Sequence, residues 1–192
     1  ALEPAPPSPE PEHLCLRKLL EVARTSCRAA AGLSPEQRRR LGAAEWTQTM
    51  VPSVLERLAA AHAEAPCRLL ARDALMALHD LLWLAKRCRA LDLAADAGGP
   101  LWPALCNRLL VECDDFFVQQ DIVHLVHRFL AKRPKVLAAV WRTKATRALK
   151  PRVKALAPGD GLEGGIRDAL LDFHRGRPEG VRSFPVGPAH AR

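Results

Sequence analysis

The sequence predicts an all-α protein, organised as an armadillo/HEAT-like helical repeat (an α-solenoid), with a compact helical bundle as the alternative. Three observations lead to the all-α class. Leu and Ala, both strong helix formers, supply most of an apolar content of 48% in 192 residues. Apolar residues recur at steps of three and four along most of the chain, which is the spacing of one helix face. No segment alternates apolar and polar residues between hairpin turns, so strands are not expected.

The elements follow in order. Residues 1–12 are proline-rich and are expected to be disordered. The helical domain spans 13–175, and residues 176–192 read as an extended tail. From His13 to Ala31 the set Leu14, Leu16, Leu19, Leu20, Val22 and Ala23 has helical spacing, and Gly32 supplies a stop. "SPEQ" at 34–37 is a capping-box start with proline in the first turn. That short helix ends near Gly42. Trp46, Met50, Val54, Leu55 and Leu58 mark the next face, with a kink or break expected at Pro52. Residues 67–88 form the clearest helix, with Leu70, Ala74, Leu78, Leu81, Leu82 and Ala85 in phase. "DAGGP" at 96–100 is a turn. Helices are then expected over Leu101–Cys113, Asp115–Lys132 and, opened by Pro134, Lys135–Lys150. Pro151 and "APGDG" at 157–161 punctuate the chain before a last helix from about Leu162 to His174. The total is seven to nine helices. "VLERLAAAHAEAP" (54–66) and "VHRFLAKRPKVLA" (126–138) are weakly alike and lie 72 residues apart, about two armadillo or HEAT units.

Composition narrows the chemistry. Six cysteines stand at 15, 27, 67, 88, 106 and 113 without a CxxC pair. In a chain this long they read as reduced, mostly buried thiols of a cytosolic or nuclear protein. No apolar run is long enough for a membrane span, and the acidic, proline-rich start is unlike a signal peptide. Asp121, His124 and His127 could present metal ligands on one helix face. The apolar stripe Val118, Ile122, Leu125 and Phe129 turns the histidines to the rim instead, and no second Cys/His cluster completes a site. "CDD" at 113–115 reads as an acidic helix cap. No nucleophile elbow, Walker loop, dinucleotide fingerprint or HExxH motif occurs. The expectation is a non-enzyme with no cofactor, no metal and no small-molecule substrate.

The net charge is +8, with a pI near 9.6, and it is unevenly spread. Between Ile122 and Gly159 there is no acid, while ten cations occur: Arg128, Lys132, Arg133, Lys135, Arg142, Lys144, Arg147, Lys150, Arg152 and Lys154. Val136, Leu137, Val140, Trp141, Ala145 and Leu149 form the apolar side of this region. The cationic side could meet an acidic protein surface or nucleic-acid phosphates, or be a plain solvated face. Trp141 lies on the apolar side, which argues against single-strand stacking.

Two stretches carry a family resemblance. "LWPALCNRLLVECDDFFVQQDIVHLVHRFLAKRP" (101–134) resembles the armadillo-like N-terminal domain of the synaptonemal complex protein 2 family. Shared features are the paired Gln119–Gln120, the acid and aliphatic pair after them, and a proline after a basic helix end. "GIRDALLDFHRGRPEGVRSFPV" (165–186) is similar to the end of that domain, and "VWRTKATRALKPRVKAL" (140–156) fits the helix before it. The likeness covers about 45–190 and implies a divergent or truncated member. It implies a scaffold of the meiotic chromosome axis, in the nucleus, that docks other axis or centromere proteins. Direct DNA binding through the basic face is the alternative, as is an unrelated helical-repeat adaptor.

Overall fold

The computed structural model describes residues 11–64, 68–99, 101–111, 113, 115–157, 159 and 161–175. Of the lead-in expected to be disordered over 1–12, residues 1–10 lie outside them, as do the tail over 176–192 and Cys67, while residues 11 and 12 already belong to the first helix. Among the described residues the protein is all α, with ten α-helices, one π segment and no strand. The chain divides at Gly98–Gly99 into two compact units.

The first unit holds α1 (Pro11–Gly32), α2 (Pro35–Arg40), α3 (Ala43–Glu64), α4 (Arg68–Arg87) and α5 (Leu91–Ala97). Helix α4 is its hub, packed against α1, α3 and α5. Leu78, Leu81, Leu82, Leu84 and Ala85 on it are fully buried. Arg17 pairs with Asp73 at 2.7 Å, and Arg24 and Arg28 both pair with Asp80 at 3.3 Å. The first two pairs share one sequence offset, so α1 and α4 run parallel. Partly exposed pairs add little stability; their use here is to set register.

Among the described side chains of α1, only Leu20, Ala23 and Cys27 reach the core. Leu14, Leu19 and Val22, expected on the same face, are 52%, 61% and 63% exposed. The apolar set spans too wide an arc for the single side that α4 covers. Helix α2 carries the expected capping box: Ser34 Oγ accepts from the Gln37 N–H, and Gln37 Oε1 accepts from the Ser34 N–H. Gly42, at φ 60, then turns the chain into α3.

Of the kink or break expected at Pro52, the break does not occur, since α3 is continuous. Hydroxyls of Thr47, Thr49 and Ser53 donate to carbonyls of the preceding turn. Such back-bonding lets a helix bend and take up the proline. Helix α5 was not expected. Its seven residues bury only Ala94 and Ala95, too small an apolar signal to see in sequence.

The second unit holds α6 (Leu101–Val111), α7 (Phe116–Leu125), a π segment (Val126–Leu130), α8 (Pro134–Val140), α9 (Lys144–Ala155) and α10 (Leu162–Arg175). Helix α6 contacts α7, α8 and α9, while α10 packs on α7 and α9. Asp115 caps α7 as expected, its Oδ1 accepting from the N–H groups of Phe117 and Val118. The helix expected over 135–150 is two. Thr143 takes an extended conformation, caps α9 by accepting from the Thr146 N–H, and donates to Asn107 Oδ1 of α6 at 2.9 Å. Thr146, fully buried, donates to the Val140 carbonyl across the break. These bonds satisfy the two helix ends that the break creates.

Candidate interaction surface

The ten candidate cations all lie in the second unit, eight exposed and two, Arg133 and Lys150, half-buried. The structure sorts them. Arg128 stands in the π segment, Lys132 and Arg133 on the turn after it, and Lys135 at the start of α8. Arg142 occupies the break before α9, and its carbonyl accepts from Arg147 Nη2. Helix α9 carries the other five. Its core side is Thr146, Leu149 and Val153, at most 5% exposed. Lys144, Arg147, Lys150 and Lys154 recur at steps of three and four on one outer side, where such neighbours stand about 5–6 Å apart at Cβ. Arg152 points elsewhere and pairs with Asp172 of α10, which Arg175 also reaches at 3.3 Å. Among the described residues Lys132, Lys135, Lys144, Lys150 and Lys154 form no ion pair. Trp141, 4% exposed, offers no ring to a ligand.

The histidines belong to a different setting. His127 Nε2 lies 3.2 Å from the Leu156 carbonyl, which accepts its proton. Among the described residues no group of three His, Cys, Asp or Glu side chains converges as a metal site. Burial lowers the pKa of His124, Arg128 and His127 lower it further, and Glu163 opposes them. A free histidine titrates near 6.5, so the unfolded chain binds the extra proton in the window just below that value. Stability should therefore rise with pH through that window and level off above it. Urea midpoints at about pH 5.5 and about pH 7.5 test this; His124→Gln should flatten the slope while leaving the higher-pH midpoint unchanged.

Gln119 was legible only as part of a sequence likeness. It is fully buried, and its Nε2 donates to the carbonyls of Cys113 at 2.7 Å and Leu110 at 3.4 Å. Its Oε1 accepts from His174 Nε2 at 2.6 Å. One amide thus ties α7 to the end of α6 and to α10. Gln119→Leu should lower the urea-unfolding free energy by about 2 kcal/mol, because buried polar partners lose their hydrogen bonds.

Burial pushes Cys27 and Cys106 up to about 12, so both stay protonated at neutral pH.

The chain is thus an all-α protein of two units with a cationic helix face. Among the described residues, no helix is long and apolar enough to cross a membrane. No known protein family, no curated protein and no solved structure matches it.

Proposed function

We propose that the chain is a non-enzymatic scaffold of armadillo/HEAT-like helices whose α9 face docks an acidic partner protein. The setting is the meiotic chromosome axis in the nucleus, the lateral element of the synaptonemal complex, with other axis or centromere proteins as partners. The setting rests on the stretches at 101–134 and 165–186. The docking face rests on the unneutralised cations Lys144, Arg147, Lys150 and Lys154 on one side of α9.

One detail favours a contact role over a solvated face. Helix α9 has no acid in its first turn and begins with Lys144. A cation there opposes the helix dipole, at a cost of a few tenths of a kcal/mol. The arrangement is not the one that stability alone would favour.

The test is immunolocalisation on spread meiotic chromosomes. An axis signal is expected for the wild-type chain and its loss for the combined change of Lys144, Arg147, Lys150 and Lys154 to glutamate, with the melting temperature unchanged. Diffuse staining of the wild-type chain would sink the proposal. The cation density also favours a second reading, duplex DNA binding. With four phosphate contacts, log K should fall against log salt with a slope of about −4. DNA retention unaffected by the same charge reversal would reject that reading.

A further inference from the structure

The first unit contains a second basic cluster, remote in sequence from the α9 face. A cavity of about 520 Å³ lies where α2, the start of α3 and the end of α4 meet. Arg38, Arg39, Arg87 and Arg89 line it, with Glu45 and Cys88. Four guanidinium groups thus face one carboxylate. Among the described residues, no ion pair joins Arg38, Arg87, Arg89 or Glu45 to any partner. Arg39 has Glu36 at 4.0 Å.

Three features set this cavity apart. Arg38 is 6% exposed, and its Nε is buried without a hydrogen-bond partner. Its Nη1 donates to the carbonyls of Ala31 and Leu33, which fixes the guanidinium at the cavity wall. A buried cation with an unsatisfied donor is unfavourable. Arg89 sits at φ 58, where glycine is the usual residue. Its N–H bonds to the Lys86 carbonyl, and the Ala90 N–H bonds to that of Ala85. This is the Schellman ending of a helix, with arginine in the left-handed position. Third, the first turn of α3 faces the cavity through Ala44 and Glu45. The first N–H of that turn to reach an i−4 carbonyl is that of Trp46, bonded to Gly42. The start of a helix favours an anion. Arg38 and Glu45 both act on the Cys88 thiol, which burial pushes up, Arg38 draws down and Glu45 raises.

We propose that this cavity binds a phosphate monoester. Guanidinium forks match phosphate oxygens in bidentate geometry. A dianion answers a surplus of positive charge better than a carboxylate does. The cavity is larger than a phosphate ion, so it also admits the organic group attached to one. Among the described residues no aromatic side chain lines it. The phosphate is carried by a free small molecule or by a phosphorylated serine or threonine of a peptide; both present the same chemistry.

The experiment is calorimetric titration of the full chain with inorganic phosphate, O-phosphoserine, a phosphoserine peptide, the unphosphorylated peptide and acetate. Saturable binding of the phosphate compounds is expected, with none for acetate or the unphosphorylated peptide. A phosphopeptide at least about tenfold tighter than O-phosphoserine assigns the peptide source, and equal affinities the free one. Arg87→Gln with Arg89→Gln should weaken binding about tenfold or more. Glu45→Gln should tighten it by removing like-charge repulsion. Arg89→Gly separates fold from ligand: it should raise the melting temperature and still weaken binding. Absence of saturable phosphate binding overturns the proposal, as does equal binding of acetate. Insensitivity to the Arg87 and Arg89 changes also overturns it, including the case where the α9 charge reversal abolishes binding instead.

Discussion

Ile122→Asp unfolds the second unit. Ile122 is fully buried in α7, with Val118 one turn before it and Val126 one turn after, both at most 1% exposed. An aspartate there must hold an unpaired charge in an apolar site or stay protonated at neutral pH. Either cost adds to the lost packing of the isoleucine. The total should exceed about 4 kcal/mol, against a whole-domain stability of about 5–15 kcal/mol. Far-ultraviolet circular dichroism should lose the helical signal of this unit. Ile122→Val, which removes one methyl, should cost only about 1 kcal/mol. An Ile122→Asp chain with the wild-type urea midpoint would contradict the burial of this face.

Leu81→Ala should have the next largest effect, in the first unit. Leu81 is fully buried on α4, beside the equally buried Leu78, Leu82 and Ala85. Helices α1, α3 and α5 all pack on α4, so neighbours hold the walls of the resulting cavity from several sides. A cavity that cannot collapse puts the loss at about 3 kcal/mol or more. In a unit of this size that lowers the melting temperature by about 10–20 °C. Leu93→Ala, at a side chain 57% exposed, should stay within about 0.5 kcal/mol of wild type. Equal effects from the two changes would show that α4 is not the hub of its unit.

Much of the helix order was legible because its punctuation is local. Gly32, the Ser34–Gln37 box, Gly42, Pro134 and the glycines before α10 each act on their own neighbours. The features that were not legible depend on distant partners. The division at Trp141–Thr143 needs Asn107 on α6, 36 residues away, as the hydrogen-bond partner of Thr143. That division decides which cations share the α9 face, so a linear count of ten could not separate Arg152 from its neighbours. The exposure of Leu19 and Val22 follows from how much of α1 its partner covers, which periodicity does not report. The arginine-lined cavity joins the arginines at 38–39 to those at 87 and 89 only through the fold. The one local sign was arginine, not glycine, at the end of α4.

The π segment at Val126–Leu130 has a consequence for how the chain can vary. A π turn holds about one residue more than the α turn it replaces. Each residue rotates an α-helix by about 100°. Losing one codon within the segment would restore a regular helix and keep Ile122 and the turns before it in place. Because the wide turn absorbs the extra residue, the Lys132–Arg133 exit and the start of α8 would keep close to their present direction, whereas the same loss within α7 would turn them by about 100° around the axis. The helix thus carries one short stretch where a gene could lose a residue and keep the core residues on both sides in place.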